Sequence, residues 1–212
     1  MRTVDLINAL AADVPAVNAG RVKRRFYLRL VAAAVPALVA VPFLGLRPDL
    51  GAAWQLPMFW TKLLLPASVA VAALVALHRL GHPGMRLGSV PAAAVVPVAA
   101  VWMLASAVLM SAPAQDRPAL VFGETWFECP VTITLLSLPA LALAFQAARE
   151  LAPTRLSLAG GAAGLFAGAA AAFAYALHCP ETQPPFLAVW YVLGMAIPTV
   201  AGALLGRRLL RW

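Results

Sequence analysis

An all-α polytopic membrane protein is encoded here: a bundle of six transmembrane helices with a short cytoplasmic N-terminal helix. Three features carry that reading. The 212 residues are 63% hydrophobic and only 11% charged, less than half the charged share of an ordinary soluble domain. The mean hydropathy is +0.86. Six continuous apolar runs, at 26–46, 58–77, 89–110, 130–148, 156–176 and 186–205, each match the roughly 20 residues a helix needs to cross a hydrocarbon core of about 30 Å. Outer-membrane strands would be half as long and alternate in polarity, so a β-barrel is excluded by pattern.

The first 25 residues form a separate tail, and 26–212 the six-helix transmembrane domain. In the tail, Thr3 is placed to cap a short helix and Asp5 suits the positive end of its dipole. Leu6, Ile7, Leu10 and Val14 recur at steps of three and four as one apolar stripe, and Pro15 stops it. Such a short helix is marginal alone in water, so it needs a membrane surface or a partner's groove to pack on. Asp5 and Asp13 flank the stripe, and anionic lipid would repel them. That favours a partner. The first span starts too far in and is too long for a cleaved signal peptide, and Arg47-Pro48-Asp49 follows it instead of small residues.

Charge orients the spans. Thirteen of the sixteen Lys and Arg fall in the tail, in the 2–3 and 4–5 connections and at the C-terminus. Only Arg47, Lys62 and Arg117 lie on the other side. The positive-inside rule puts both termini in the cytoplasm. The net charge of +8 then reads as an anchor for anionic headgroups and calls for no nucleic acid. Five of the eight acids (Asp49, Asp116, Glu124, Glu128, Glu181) are on the outer side, as are Trp54, Trp60 and Trp126 at interface depth.

Within the spans, Pro36, Pro42, Pro66, Pro91, Pro97, Pro139 and Pro198 bend five of the six helices. The fifth instead carries Gly160, Gly164, Gly168 and Ala172 at steps of four, and Gly202 and Gly206 repeat the device in the sixth. Small residues so spaced let helices approach closely. Lys62 is the sole charge inside an apolar run, near its outer end, where it is expected to snorkel. No Asp, Glu or His lies deep in a span, which disfavours a pump or ion-coupled transporter. His78 and His82 are loop residues beside Pro83.

The two cysteines stand in "WFECPVT" and "HCPET", each followed by proline, both at the outer boundary near spans four and five. Antiparallel neighbours would bring Cys129 and Cys179 to one face. Three readings stay open: a structural disulfide, a pair sensing oxidants or thiol-seeking metals, and two unrelated buried thiols. In the second, Cys129, Cys179, His178 and Glu181 would supply the metal ligands, with Glu124 and Glu128 nearby. There is no CxxC, HExxH, GxSxG or phosphate-binding glycine loop. No enzyme and no resident cofactor is therefore expected, only transient heavy-metal binding at the cysteine pair.

The combination of "TVDLINALAADVPAV", six spans, "WFECPVT", "HCPET" and the aromatic "FLAVWY" resembles the NrsF family of bacterial inner-membrane anti-sigma factors, negative regulators of sigma F. The resemblance covers the whole chain. It implies capture of an extracytoplasmic-function sigma factor at the inner membrane, with no direct nucleic-acid contact. The sigma-contacting tail then maps to Thr3, Asp5, Leu6, Ile7, Leu10, Asp13 and Pro15, and Cys129 and Cys179 become the sensors of oxidative or heavy-metal stress. The competing class is a transporter or channel with structural outer cysteines.

Overall fold

The computed structural model describes residues 2–12 and 19–211, and among them every regular element is helical, with no strand. The tail helix α1 spans Thr3–Ala12 and α2 spans Ala19–Leu44. The short α3 (Leu50–Ala53) leads into α4 (Pro57–Leu80), then α5 (Val90–Ser111), the short α6 (Arg117–Phe122), α7 (Glu128–Arg149) and α8 (Leu156–Tyr175). The last span enters through α9 (Pro184–Phe186), passes one wide π turn at Leu187–Tyr191 and continues as α10 (Val192–Leu209). Six helical segments are long and apolar enough to cross a membrane: Arg24–Leu44, Pro57–Leu80, Val90–Ser111, Glu128–Arg149, Leu156–Tyr175 and Pro184–Leu209. All six expected spans are present.

Several details differ from the sequence reading. His78 is not a loop residue but lies in the last turn of α4. In the tail, Thr3 is the first helical residue and not the cap. Asp5 reaches back instead, its Oδ2 accepting from the Arg2 backbone N–H at 3.3 Å, half of a capping box. Pro91 does not bend α5. It occupies the first turn, where its missing N–H has no intrahelical role. The connection at 111–129 contains α6, too short to show a helical period.

Alternating spans lead every connection to one of two ends. The loops after α2, α5 and α8 share the end that carries both cysteines. The tail, the C-terminus and the loops after α4 and α7 share the opposite, basic end. The core centres on α8, which packs against α10, α4, α7 and α2. Alanine and glycine make this close contact achievable. A Cβ on Gly164 would meet the Pro198 carbonyl, and one on Gly160 would meet the Gly202 carbonyl. The glycine ladders are thus the α8–α10 seam, as their spacing implies. At the basic end Arg29 pairs with Glu150 at 2.6 Å. Arg149 Nε donates to the Leu209 carbonyl at 2.6 Å, and Arg207 Nε to Ser157 Oγ at 2.7 Å. α1 has no extensive packing against any span among the described residues.

Candidate functional site

At the cysteine end the chain after α8 forms a strap. The Cys179 N–H still bonds back to the Tyr175 carbonyl at 3.0 Å, and Pro180 then forbids another helical turn. Residues 180–183 lie outside any helix and lead, through an extended Gln183, to the prolines that open α9. Cys129 enters from the first turn of α7, its N–H on the Thr125 carbonyl at 3.0 Å. Both cysteines are free thiols with no exposed surface. They share one core cluster with Phe59, Ile133, Tyr175, Phe186 and Tyr191, and lie within electrostatic reach of each other and of Lys62. The sequence placed the two at one end, and the structure brings them together there.

Lys62 does not snorkel. It is 0% exposed, and its Nζ donates to the carbonyls of Cys179 and Glu181, both at 2.6 Å. The Tyr191 ring lies 5.4 Å from the ammonium. A buried charge costs free energy unless hydrogen-bonded. Two strap carbonyls, which have no helical N–H to accept from, satisfy it. The π turn sets Tyr191 at this point; its hydroxyl is buried without a hydrogen-bond partner, close to the Cys179 side chain. Single wide turns of this kind recur at functional positions.

The strap is held from two further sides. Glu181 Oε1 accepts from the Glu124 N–H at 2.8 Å. Gly123 makes room for that carboxylate: its φ is +53°, and a Cβ there would stand 2.6 Å from Glu181 Oε1. Trp190 Nε1 donates to the Val121 carbonyl at 2.8 Å and its ring lies 5.2 Å from Trp126, which ties the α6 connection to the last span. From the first loop, the Arg47 N–H donates to the Leu177 carbonyl at 3.3 Å, and His178 Nδ1 contacts the Gly45 carbonyl at 2.5 Å. Arg47 grips Asp49 through Nε and one terminal nitrogen, at 2.7 and 2.6 Å, while its other terminal nitrogen is buried without a hydrogen-bond partner. That double hydrogen bond holds the Asp49 carboxyl below its usual range and raises the Arg47 guanidinium.

The metal-ligand expectation meets a different geometry. His178 Nδ1 contacts the Gly45 carbonyl and Glu181 Oε1 accepts from the Glu124 N–H, and among the described residues no three of His, Cys, Asp and Glu are grouped to hold a metal ion. Of the tail residues, Thr3, Asp5, Leu6 and Ile7 are exposed on α1. Leu10 lies in the same helix, while Asp13 and Pro15 lie outside the described residues. From the sequence Lys62 is expected to reach water, and Arg47 and Tyr191 are given no role at this site. The one available signal was Lys62 itself, a lone charge in an apolar run.

Fold and site together define a six-span helical membrane protein with a sealed dithiol end and an apolar helix carried free at the other. The chain belongs to the family described as negative regulator of sigma F, NrsF, whose model matches residues 10–212. It is 46% identical over 213 residues to the probable anti-sigma-F factor NrsF of Azospira oryzae, and 42% identical over 215 residues to the anti-sigma-F factor NrsF of Caulobacter vibrioides. Both alignments span the full length of both chains. No solved structure matches.

Proposed function

We propose that this chain is an anti-sigma factor of the bacterial inner membrane, regulatory and not catalytic. Residues 1–25 are its sigma-binding tail and residues 26–212 its transmembrane domain, with both termini cytoplasmic. It sequesters an extracytoplasmic-function sigma factor, of the sigma F type, and releases it when Cys129 and Cys179 meet oxidative or heavy-metal stress on the periplasmic side. The two full-length relatives support the class by their names.

The observation that carries the tail's role is α1 itself. Val4, Leu6 and Ile7 are 63%, 44% and 58% exposed, an apolar helix surface that its own bundle leaves open. A partner's groove covering that surface would supply the packing a ten-residue helix lacks. Asp5 and Asp13 would meet the partner's basic surface.

The sealed thiols support a gated sensor. An oxidant reaches them only after the 176–183 strap parts. Joining the sulfurs then removes two protons and two electrons, which the oxidant takes up; a thiol-seeking metal would displace the protons instead. Either event ties α7 to the strap and changes how the strap sits on Lys62. A tenfold change in sigma affinity needs only about 1.4 kcal/mol of coupling.

Affinity capture of the tagged chain in mild detergent, with and without residues 1–20, tests the reading. Sigma factor co-purifies with the full chain and is lost from the truncated one and from the Leu6→Asp/Leu10→Asp variant, while all three insert equally. Undiminished co-purification after truncation refutes the tail's role. Cys129→Ser and Cys179→Ser each shift the stress dose-response; an unchanged response in both makes the thiols structural only.

A further inference from the structure

We infer that the basic end holds a site for one anionic phospholipid, its phosphate in the pocket between the α4–α5 and α7–α8 connections and an acyl chain in the groove above. The pocket measures about 250 Å³ and is lined by Arg79, His82, Arg86 and Arg155 among others. No carboxylate lines it, and among the described residues none pairs with Arg79, Arg86 or Arg155. Arg79 is set in place by its NH1 bond to the Leu87 carbonyl at 2.7 Å. Leu80 is shared between this pocket and an apolar groove of about 310 Å³ that runs up between α5 and α8, along Ala76, Val90, Ala94 and Leu165.

Charge complementarity selects the occupant. Arginine forks match phosphate oxygens, and a cluster of three without acids repels itself until an anion enters. An acidic protein segment would suit the arginines but not the apolar groove at membrane depth. An uncharged lipid would suit the groove but not the arginines. A phosphodiester headgroup on a hydrocarbon chain suits both. This site is independent of sigma capture.

Native mass spectrometry of the full chain, delipidated and offered equal phosphatidylglycerol and phosphatidylcholine, tests it. The protein retains one phosphatidylglycerol in preference by about tenfold, 1.4 kcal/mol. Arg86→Gln/Arg155→Gln removes the preference, while Arg208→Gln/Arg211→Gln, with the same loss of charge at the same end, keeps it. Ala76→Phe fills the groove and releases the lipid with every arginine intact. Equal retention of the two lipids overturns the site, as does a preference that survives either Arg86→Gln/Arg155→Gln or Ala76→Phe. Displacement of the lipid by millimolar inorganic phosphate alone also overturns it, since the ligand is then a free anion.

Discussion

The helices α8 and α5 make a useful pair. Both cross the bundle's full height, and α5 is the more apolar, with a peak hydropathy of 2.2 against 1.6. Yet 61% of the α8 span is buried inside the protein and only 11% of the α5 span. In water the more hydrophobic helix would be the inner one. In a bilayer, lipid accepts large apolar side chains as well as protein does, so residue size decides. α8 is built of alanine and glycine and lets four helices close on it. α5 turns Val95, Val96, Trp102, Met103 and Met110 outward and touches mainly α4 and α9. The contrast reaches the candidate site, because the strap that seals Cys179 is the continuation of α8.

The sharpest way to break the contrast is to enlarge the seam. Gly164→Leu drives a side chain into the Pro198 backbone and costs roughly 3 kcal/mol or more; thermal unfolding in detergent measures it. Survival with an unshifted midpoint would mean that α8 is not the axis. Next is the pin at the top of α8. Lys62→Met strands the carbonyls of Cys179 and Glu181, at about 2–3 kcal/mol, and speeds maleimide labelling of Cys179 in the folded protein. An unchanged labelling rate would show that Lys62 does not hold the strap.

A smaller effect follows from Asp49. Its carboxyl is depressed below 3.8 by Arg47, so the pair steadies the first loop above that pH and the contribution fades as pH falls through the lower, folded-state value. Asp49 is exposed, and the change is confined to the loop. Protease cleavage near residues 45–56 should rise on acidification in the native protein, and Asp49→Asn should cut at a rate that no longer depends on pH in that window. The smallest effect belongs to α5: Val96→Leu, on its exposed face, shifts stability by less than about 0.5 kcal/mol. A shift comparable to that of Gly164→Leu would erase the distinction between the two helices.

The six spans were legible because each is a long apolar run, and the α8–α10 seam because glycine at steps of four has one main use in a membrane helix. The common end of Cys129 and Cys179 followed from counting spans. Their complete burial did not, since it depends on a strap whose course is set by Pro180 and by two bonds from a residue 117 positions away. Lys62 was misread for a physical reason. Nearness to a span end permits a lysine to reach water, but two unpaired carbonyls closer by offered a better partner. Arg47 and Tyr191 carry no sequence signal, because their roles come from what other loops bring to them. α6 was missed because six residues are fewer than two helical turns.

The wide turn at Leu187–Tyr191 has a consequence for where this chain can change in length. It holds one surplus residue, so α9 and α10 follow two angular frames that meet at that point. Deleting that one residue would close the wide turn into ordinary α-helix and leave Gly202 and Gly206 facing α8, whereas a deletion between residues 192 and 201 would turn both glycines about 100° away from it. The wide turn is thus a place where a change of length can be taken up, while the stretch from Val192 to Gly202 transmits any such change to the α8–α10 seam.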